Sequence, residues 1–151
     1  MRRKDREIDN IEAIKILHKG EFGVLSMITK ENKSYGIPLH FVFIDNQIYF
    51  HSAKKGKKIE CLKNNNNVSF CVVGKTVLLP ADYSAIFESV IASGIISNVE
   101  GEEKKEALML LIEKYSNDFI NEGEEYIKKY LNSVKVIKLS IESISGKARK
   151  Q

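Results

Sequence analysis

Apolar residues recur along this chain at two spacings, and the change from one to the other marks out the elements. Ile11, Ile14 and Leu17 fall three residues apart within residues 9–19, the stripe of a short amphipathic helix, with Asp9 or Asn10 as its cap and Gly20 or Gly23 at its end. Residues 22–29, 35–44 and 47–51 are rich in β-branched and aromatic side chains. They are divided by the turn formers Asn32 and Asp45-Asn46, which predicts three antiparallel strands. Ile59 and Leu62 restore helical spacing in residues 54–64, and the asparagines from Asn64 to Asn67 close that helix before a strand at 68–73.

The second half alternates in the same way with longer elements. Residues 84–99 are mostly uncharged and carry Val90, Ile91, Ile95, Ile96 and Val99, a long strand with a bulge expected near Gly94. Ala107, Leu108, Leu111, Ile112 and Tyr115 form one helical stripe over 102–115, with Glu102 and Glu103 beside the positive helix start. Phe119, Tyr126, Ile127, Tyr130 and Leu131 predict a second helix, residues 134–143 a final strand, and residues 146–151 an exposed basic tail. Six strands separated by turns can remove their free edges by closing on themselves. The expected class is therefore α+β, mainly β: an antiparallel barrel with peripheral helices.

Composition narrows the choice. A length of 151 residues suits a single domain over 1–151, and 43% hydrophobic content with nine glycines and two prolines excludes a disordered or collagen-like chain. The longest runs free of charge, 34–44, 64–74 and 89–99, fall well short of the roughly 20 residues of a membrane-spanning helix. The basic start has no uninterrupted apolar region and no small-residue cleavage site, so a cytoplasmic protein is expected. Cys61 and Cys71 stand outside any C-x-x-C spacing, and neither zinc nor a disulfide is expected. The net charge of +4 is modest, and its clustering matters more than its sum.

Two clusters carry candidate chemistry. With Asp45 and Asn46 as a two-residue loop, Val42 faces Tyr49, Phe41 faces Phe50 and His40 faces His51. Alternation then sends Phe41, Phe43, Ile48 and Phe50 to a core face. It leaves His40, Val42, Tyr49 and His51 on the other, which reads as the wall of a site. Paired imidazoles can bond, stack or move a proton near neutral pH, and they serve equally well as plain surface or core contacts. A metal site is not expected without a third ligand nearby.

Directly after His51 come Ser52, Ala53 and the run Lys54-Lys55-Gly56-Lys57-Lys58, where a strand feeds a helix start. Each ammonium beside that positive helix end is unfavourable by about 0.3–1 kcal/mol unless solvent or an anion offsets it. A terminal phosphate would reverse the sign, held by free backbone N–H groups, the Ser52 hydroxyl and one or two lysines, with Gly56 allowing close approach. A solvated lysine cluster is the plain alternative, and a nucleic-acid patch a third. No recognisable nucleic-acid module accompanies the patch, and no nucleic-acid partner is expected.

Taken in order, MRRKDREI at 1–8, YGIPLHF at 35–41, IYFHSA at 48–53 followed by GKK at 56–58, and Tyr83 with SVIASG at 89–94 carry a resemblance. They resemble the flavin-binding split-barrel superfamily that includes pyridoxamine 5′-phosphate oxidase, and most closely its 5-nitroimidazole-resistance branch. The resemblance implies a six-stranded split β-barrel that forms a homodimer, with one FMN in each of two clefts at the subunit interface. It places Pro38, Leu39, His40 and Phe41 along the flavin ring, His51 and Ser52 at the strand end beside it, Lys57 and Lys58 at the phosphate, and Ser89 near the flavin from the long strand. His51 becomes the candidate catalytic residue, a proton donor or substrate contact, with His40 supporting it.

The activity so implied is that of an oxidoreductase accepting electrons from a reduced nicotinamide or another donor and passing them to a small acceptor such as a nitroaromatic. The chain has no tryptophan and lacks the arginine-rich C-terminal motif with which pyridoxamine 5′-phosphate oxidases grip their substrate, so oxidation of vitamin B6 is set aside. The rival readings are a flavin-binding or storage protein without turnover, and a split barrel that binds haem or a deazaflavin. Neither rival involves a membrane.

Overall fold

The computed structural model describes residues 3–150; Met1 and Arg2 of the N-terminal motif and Gln151 of the basic tail lie outside the described residues. After a short strand β1 (Glu7–Ile8), Asp9 caps helix α1 (Asn10–Lys19) by accepting a 2.8 Å bond from the Glu12 amide. The helix buries Ala13, Ile16 and Leu17, while Ile11 is 67% exposed, so the buried stripe is rotated from the one expected. Strands β2 (Gly23–Ile28) and β3 (Ser34–Leu39) form a hairpin, followed by β4 (Val42–Ile44), β5 (Gln47–Ala53) and helix α2 (Lys57–Asn64). The long strands β6 (Asn67–Leu79) and β7 (Ser84–Val99) lead to helices α3 (Gly101–Tyr115) and α4 (Ile120–Tyr130), and β8 (Val134–Arg149) closes the chain.

These strands make one antiparallel sheet in the order β3-β2-β6-β7-β8-β5-β4, with β1 added on β8. The two end strands of that order, β3 and β4, are consecutive in the chain and separated by only His40 and Phe41. The three steps of chain from Leu39 to Val42 span at most about 11 Å. A sheet whose opposite edges are tied that closely must roll up, and since β3 and β4 do not pair, it rolls into an open, split barrel. No helix is long and apolar enough to cross a membrane among the described residues.

Six strands were expected and eight are found, because the predicted strand at 35–44 breaks at this seam and Glu7–Ile8 adds a short one. The strand at 68–73 runs on to Leu79 past an irregularity between Val73 and Thr76, where the Glu88 carboxylate accepts from the Lys75 amide at 3.1 Å. The tail is not free as expected: β8 continues through Arg149, with Gly146 against Ile8 and Val90, and Ala148 buried. The register shifts at Gly94 as expected, but the extra residue is Glu142 on the partner strand β8 rather than one of β7, and a side chain on Gly94 would lie 2.0 Å from the Ser140 carbonyl oxygen.

Inside the barrel, the Phe70 ring stands edge-on to both Phe41 and Phe50 at 4.9 Å, surrounded by Leu17, Leu25, Val72, Val90 and Leu139. Fully burying side chains of this size stabilises the fold by about 1.5–3 kcal/mol each. A second apolar cluster forms outside the barrel, where α3 and α4 bring Leu108, Leu111 and Ile127 onto Val42, Tyr49 and Val136. This corrects the reading of the hairpin: the ladder places Val42 opposite Tyr49 as expected, but both are buried under helices and do not line an open wall. α3 is pinned there by the Tyr49 hydroxyl, which donates to Glu103 Oε1 at 2.8 Å, and by Lys138, which donates to the same oxygen at 2.6 Å.

Candidate functional site

The end of β5 gathers part of the expected constellation. His51 pairs with Val136 two residues before the end of β5, and its imidazole pKa is held below the ordinary value, chiefly by partial desolvation, then by Lys58 and then by His40. Burial also lowers the Lys58 ammonium. His51, Lys58 and His40 therefore share one neighbourhood. The ladder between β4 and β5 stops at Val42 and Tyr49, so His40 and Phe41 leave the hairpin before the expected His40–His51 and Phe41–Phe50 pairs can form.

His40 turns instead toward the start of β2. Its Nδ1 lies 2.9 Å from the Glu21 carbonyl oxygen, which can only accept, so Nδ1 is the donor of this bond. The ring edge rests on Tyr115 with centroids 4.8 Å apart. Tyr115 was expected only as part of a core stripe. Its hydroxyl lies 2.7 Å from the carbonyl oxygens of Glu21 and Phe41 and accepts from the Phe41 amide at 2.9 Å. Beside it, Lys114 donates to the Phe41 carbonyl at 3.0 Å and stands over the Phe41 ring at 4.0 Å, with its pKa lowered by burial to about 8. No local sequence signal marks these two residues, since their partners lie far away in the chain.

The lysine-rich turn has the geometry of an anion cradle. Gly56 begins α2 at φ +125°, no side chain caps the helix start, and nothing approaches within 4 Å of where a Cβ would stand. Among the described residues no carboxylate lies within salt-bridge distance of Lys54, Lys55, Lys57 or Lys58. Lys57 is held over the Tyr35 ring of β3 at 4.4 Å, which spans the gap between α2 and the sheet edge. Next to it a cleft of about 670 Å³ is bordered by Thr29, Lys57, Glu60, Lys63 and Asn64. Excess positive charge, an uncapped helix start and open space fit a phosphate-bearing group.

Two expected members stand apart. Ser52 is buried, and its hydroxyl proton is committed to the Ala53 carbonyl at 2.9 Å, so the structure does not present it to the lysines. Ser89 pairs with Val73 and Lys147, whereas His51 pairs with Val136. Those two partners are separated along β8 by roughly 36 Å of strand. Pro38 and Leu39 lie on the edge strand β3, where proline is tolerated and one side of the backbone is unpaired.

A rolled antiparallel sheet with a tied seam, flanked by histidines and an unneutralised lysine turn, defines a split barrel with a basic edge. Residues 9–148 match the family model described as pyridoxamine 5′-phosphate oxidase, and the chain belongs to that family. No curated protein sequence matches it. Among solved structures, it is similar to a candidate 5-nitroimidazole antibiotic resistance protein from Bacteroides thetaiotaomicron, with 25% identity, TM-score 0.76, and coverage of 94% of this chain and 86% of that one. It shares its fold with a FAD-binding protein from Mesorhizobium loti (21% identity, TM-score 0.67, 96% and 98% covered). The same holds for a FAD- and haem-binding protein from Mycobacterium smegmatis (13% identity, TM-score 0.81, 95% and 72% covered).

Proposed function

We propose that the protein binds FMN and works as a flavin-dependent oxidoreductase, passing electrons from a reduced nicotinamide or similar donor to a small acceptor such as a nitroaromatic. The observation that carries this reading is the unneutralised turn Lys54-Lys55-Gly56-Lys57-Lys58 at the open start of α2, in a family named for an oxidase. The flavin, when bound, supplies the electron-transfer chemistry. Lys57 and Lys58 with the α2 amides hold its phosphate, and the free edge of β3 at Pro38 and Leu39, continued by His40 of the link, offers backbone groups to the ring. His51, neutral at pH 7 because its pKa is lowered, offers a hydrogen bond there. It gains donor strength when an anion offsets the Lys58 charge that disfavours its protonation.

The outer sheet face supports a homodimer as part of this reading. Phe22, Val24, Val73 and Ile91 are exposed there. Beyond the flanking strands the β6–β7 arm carries Leu78 at 73% and Tyr83 at 99% exposure. A two-stranded arm is marginal in water unless covered. Ser89 lies on this same face, far from the lysine turn of its own chain, and joins a flavin site only in a second copy. A cytoplasmic setting fits the unbonded thiols of Cys61 and Cys71.

Titration calorimetry with FMN, followed by visible spectra, tests the reading. Expected are one FMN per chain and a flavin band bleached by a reduced nicotinamide and restored by a nitro compound. Absence of binding heat in folded protein overturns it. A bound flavin inert to every donor would make the protein a store, and a Soret band in place of flavin would make it a haem carrier.

A further inference from the structure

His40 and Phe41 are the whole of the link between the two edges of the sheet, and neither belongs to a ladder: β3 ends at Leu39 opposite Gly23, and β4 begins at Val42 opposite Tyr49. Backbone groups outside a ladder need other partners. Those of Phe41 find both in α3. Its amide donates to the Tyr115 hydroxyl at 2.9 Å, and its carbonyl accepts from Lys114 at 3.0 Å and faces the same hydroxyl at 2.7 Å. That hydroxyl also reaches the Glu21 carbonyl at 2.7 Å, which is where the chain enters β2 on the other side of the seam, and the His40 ring bonds this same carbonyl. One phenol oxygen thus ties both lips of the opening to the last turn of α3.

We infer that Tyr115 is a positioning residue, whose hydroxyl fixes the backbone at His40 and Phe41 across the seam and so sets how residues 38–40 lie against a bound flavin ring. The inference rests on the flavin reading above. It does not make Tyr115 a catalytic group, because its hydroxyl is occupied by backbone atoms. Its effect reaches a ligand through the strand it holds. Misplacement of about 1 Å at such a surface is enough to slow a reaction by about 100-fold.

Amide hydrogen exchange without ligand tests the tie first. In the unaltered chain the Phe41 amide is protected despite lying in no ladder, and in Tyr115→Phe it exchanges about tenfold faster, the loss expected for one hydrogen bond, while the Phe50 and Phe70 amides do not change. The FMN-loaded variant is then measured. FMN affinity stays within about threefold, since the Tyr115 hydroxyl bonds backbone atoms of Glu21 and Phe41 and none of the lysine turn, while the flavin absorption band shifts and the rate of flavin reduction by a reduced nicotinamide falls about tenfold or more. Rapid exchange of Phe41 in the unaltered chain, or a variant with unchanged exchange, band and rate, overturns the inference. If the unaltered chain shows the protected amide yet takes up no FMN, the flavin reading has failed and the positioning role falls with it, a result distinct from a failure of the tie.

Discussion

The Lys57 ammonium stands 4.4 Å from the centre of the Tyr35 ring, so the helix start and the sheet edge meet through a cation and an aromatic face. Such a contact is worth about 0.5–1 kcal/mol where solvent reaches it. It orders Lys57 without neutralising it, which leaves the charge available to an anion. Tyr35→Leu should therefore weaken FMN binding about two- to fivefold, whereas Tyr35→Phe, which keeps the ring, should leave it unchanged. Calorimetric titration of both variants distinguishes the ring from mere bulk.

Replacing Lys57 and Lys58 together by Glu should abolish FMN retention, with at least a hundredfold loss of affinity, since hydrogen bonds to charged groups contribute about 1.5–3 kcal/mol each. The melting temperature should change little, because neither lysine is paired with a carboxylate and the new carboxylates at the α2 start offset the lost Lys57–Tyr35 contact. Undiminished affinity in a folded double variant would remove the phosphate site from the turn.

His51→Ala should slow transfer to the acceptor about 10- to 100-fold while changing FMN affinity by less than about threefold. The charged imidazole is the donor form, so the rate in the unaltered protein should rise as pH falls from about 8 toward 5.5, and the variant should be flat over that range. Folding disfavours that same charge. Because the folded pKa is lowered, the His51 contribution to stability is fully present above about 6.5 and is lost as pH falls through the folded value. An equal turnover in the alanine variant would take His51 out of the chemistry.

Glu103 receives both Lys138 and Tyr49, and the bonds from Lys138 first and Tyr49 second hold its carboxyl below the ordinary range. Its stabilising effect is present above the unfolded carboxyl value and is lost as pH falls through the folded one. The group is close to solvent, so Glu103→Gln should cost only about 0.5 kcal/mol at pH 7 and nothing in acid. Denaturant melts at two pH values measure the difference. In contrast, Phe70→Ala should cost about 3–5 kcal/mol at any pH, since it empties the centre of the barrel.

Introducing charge on the outer face, as in Val73→Lys with Ile91→Lys, should convert a dimer to a monomer and lower flavin content with it. Sedimentation velocity and the visible spectrum report the two effects. A dimer of unchanged stability in this variant would show that the exposed face is not the interface.

Much of the fold is legible in the sequence because it is local. Asp9 caps α1, Asp45 and Asn46 turn a hairpin with the expected register, and Gly94 marks the register shift, where the Ser140 carbonyl across the ladder leaves no room for a side chain. Composition misled where tertiary contact decides. Gly74 and Lys75 look like a strand end but form an irregularity that the distant Glu88 caps, and the charged run at 146–151 resembles a free tail yet pairs with β1 and β7. At the site, Lys57, Lys58 and His51 were visible as a misplaced run of charge beside a strand end. Tyr115 and Lys114 were not, because a bond from a helix terminus to a backbone group more than seventy residues away leaves no periodic trace.

A covalent hinge of two residues joins the lips of the barrel, and a hinge that short has almost no slack. The distance between β3 and β4 is therefore set by the chain itself, and a displacement of either strand is passed directly to the other through His40 and Phe41.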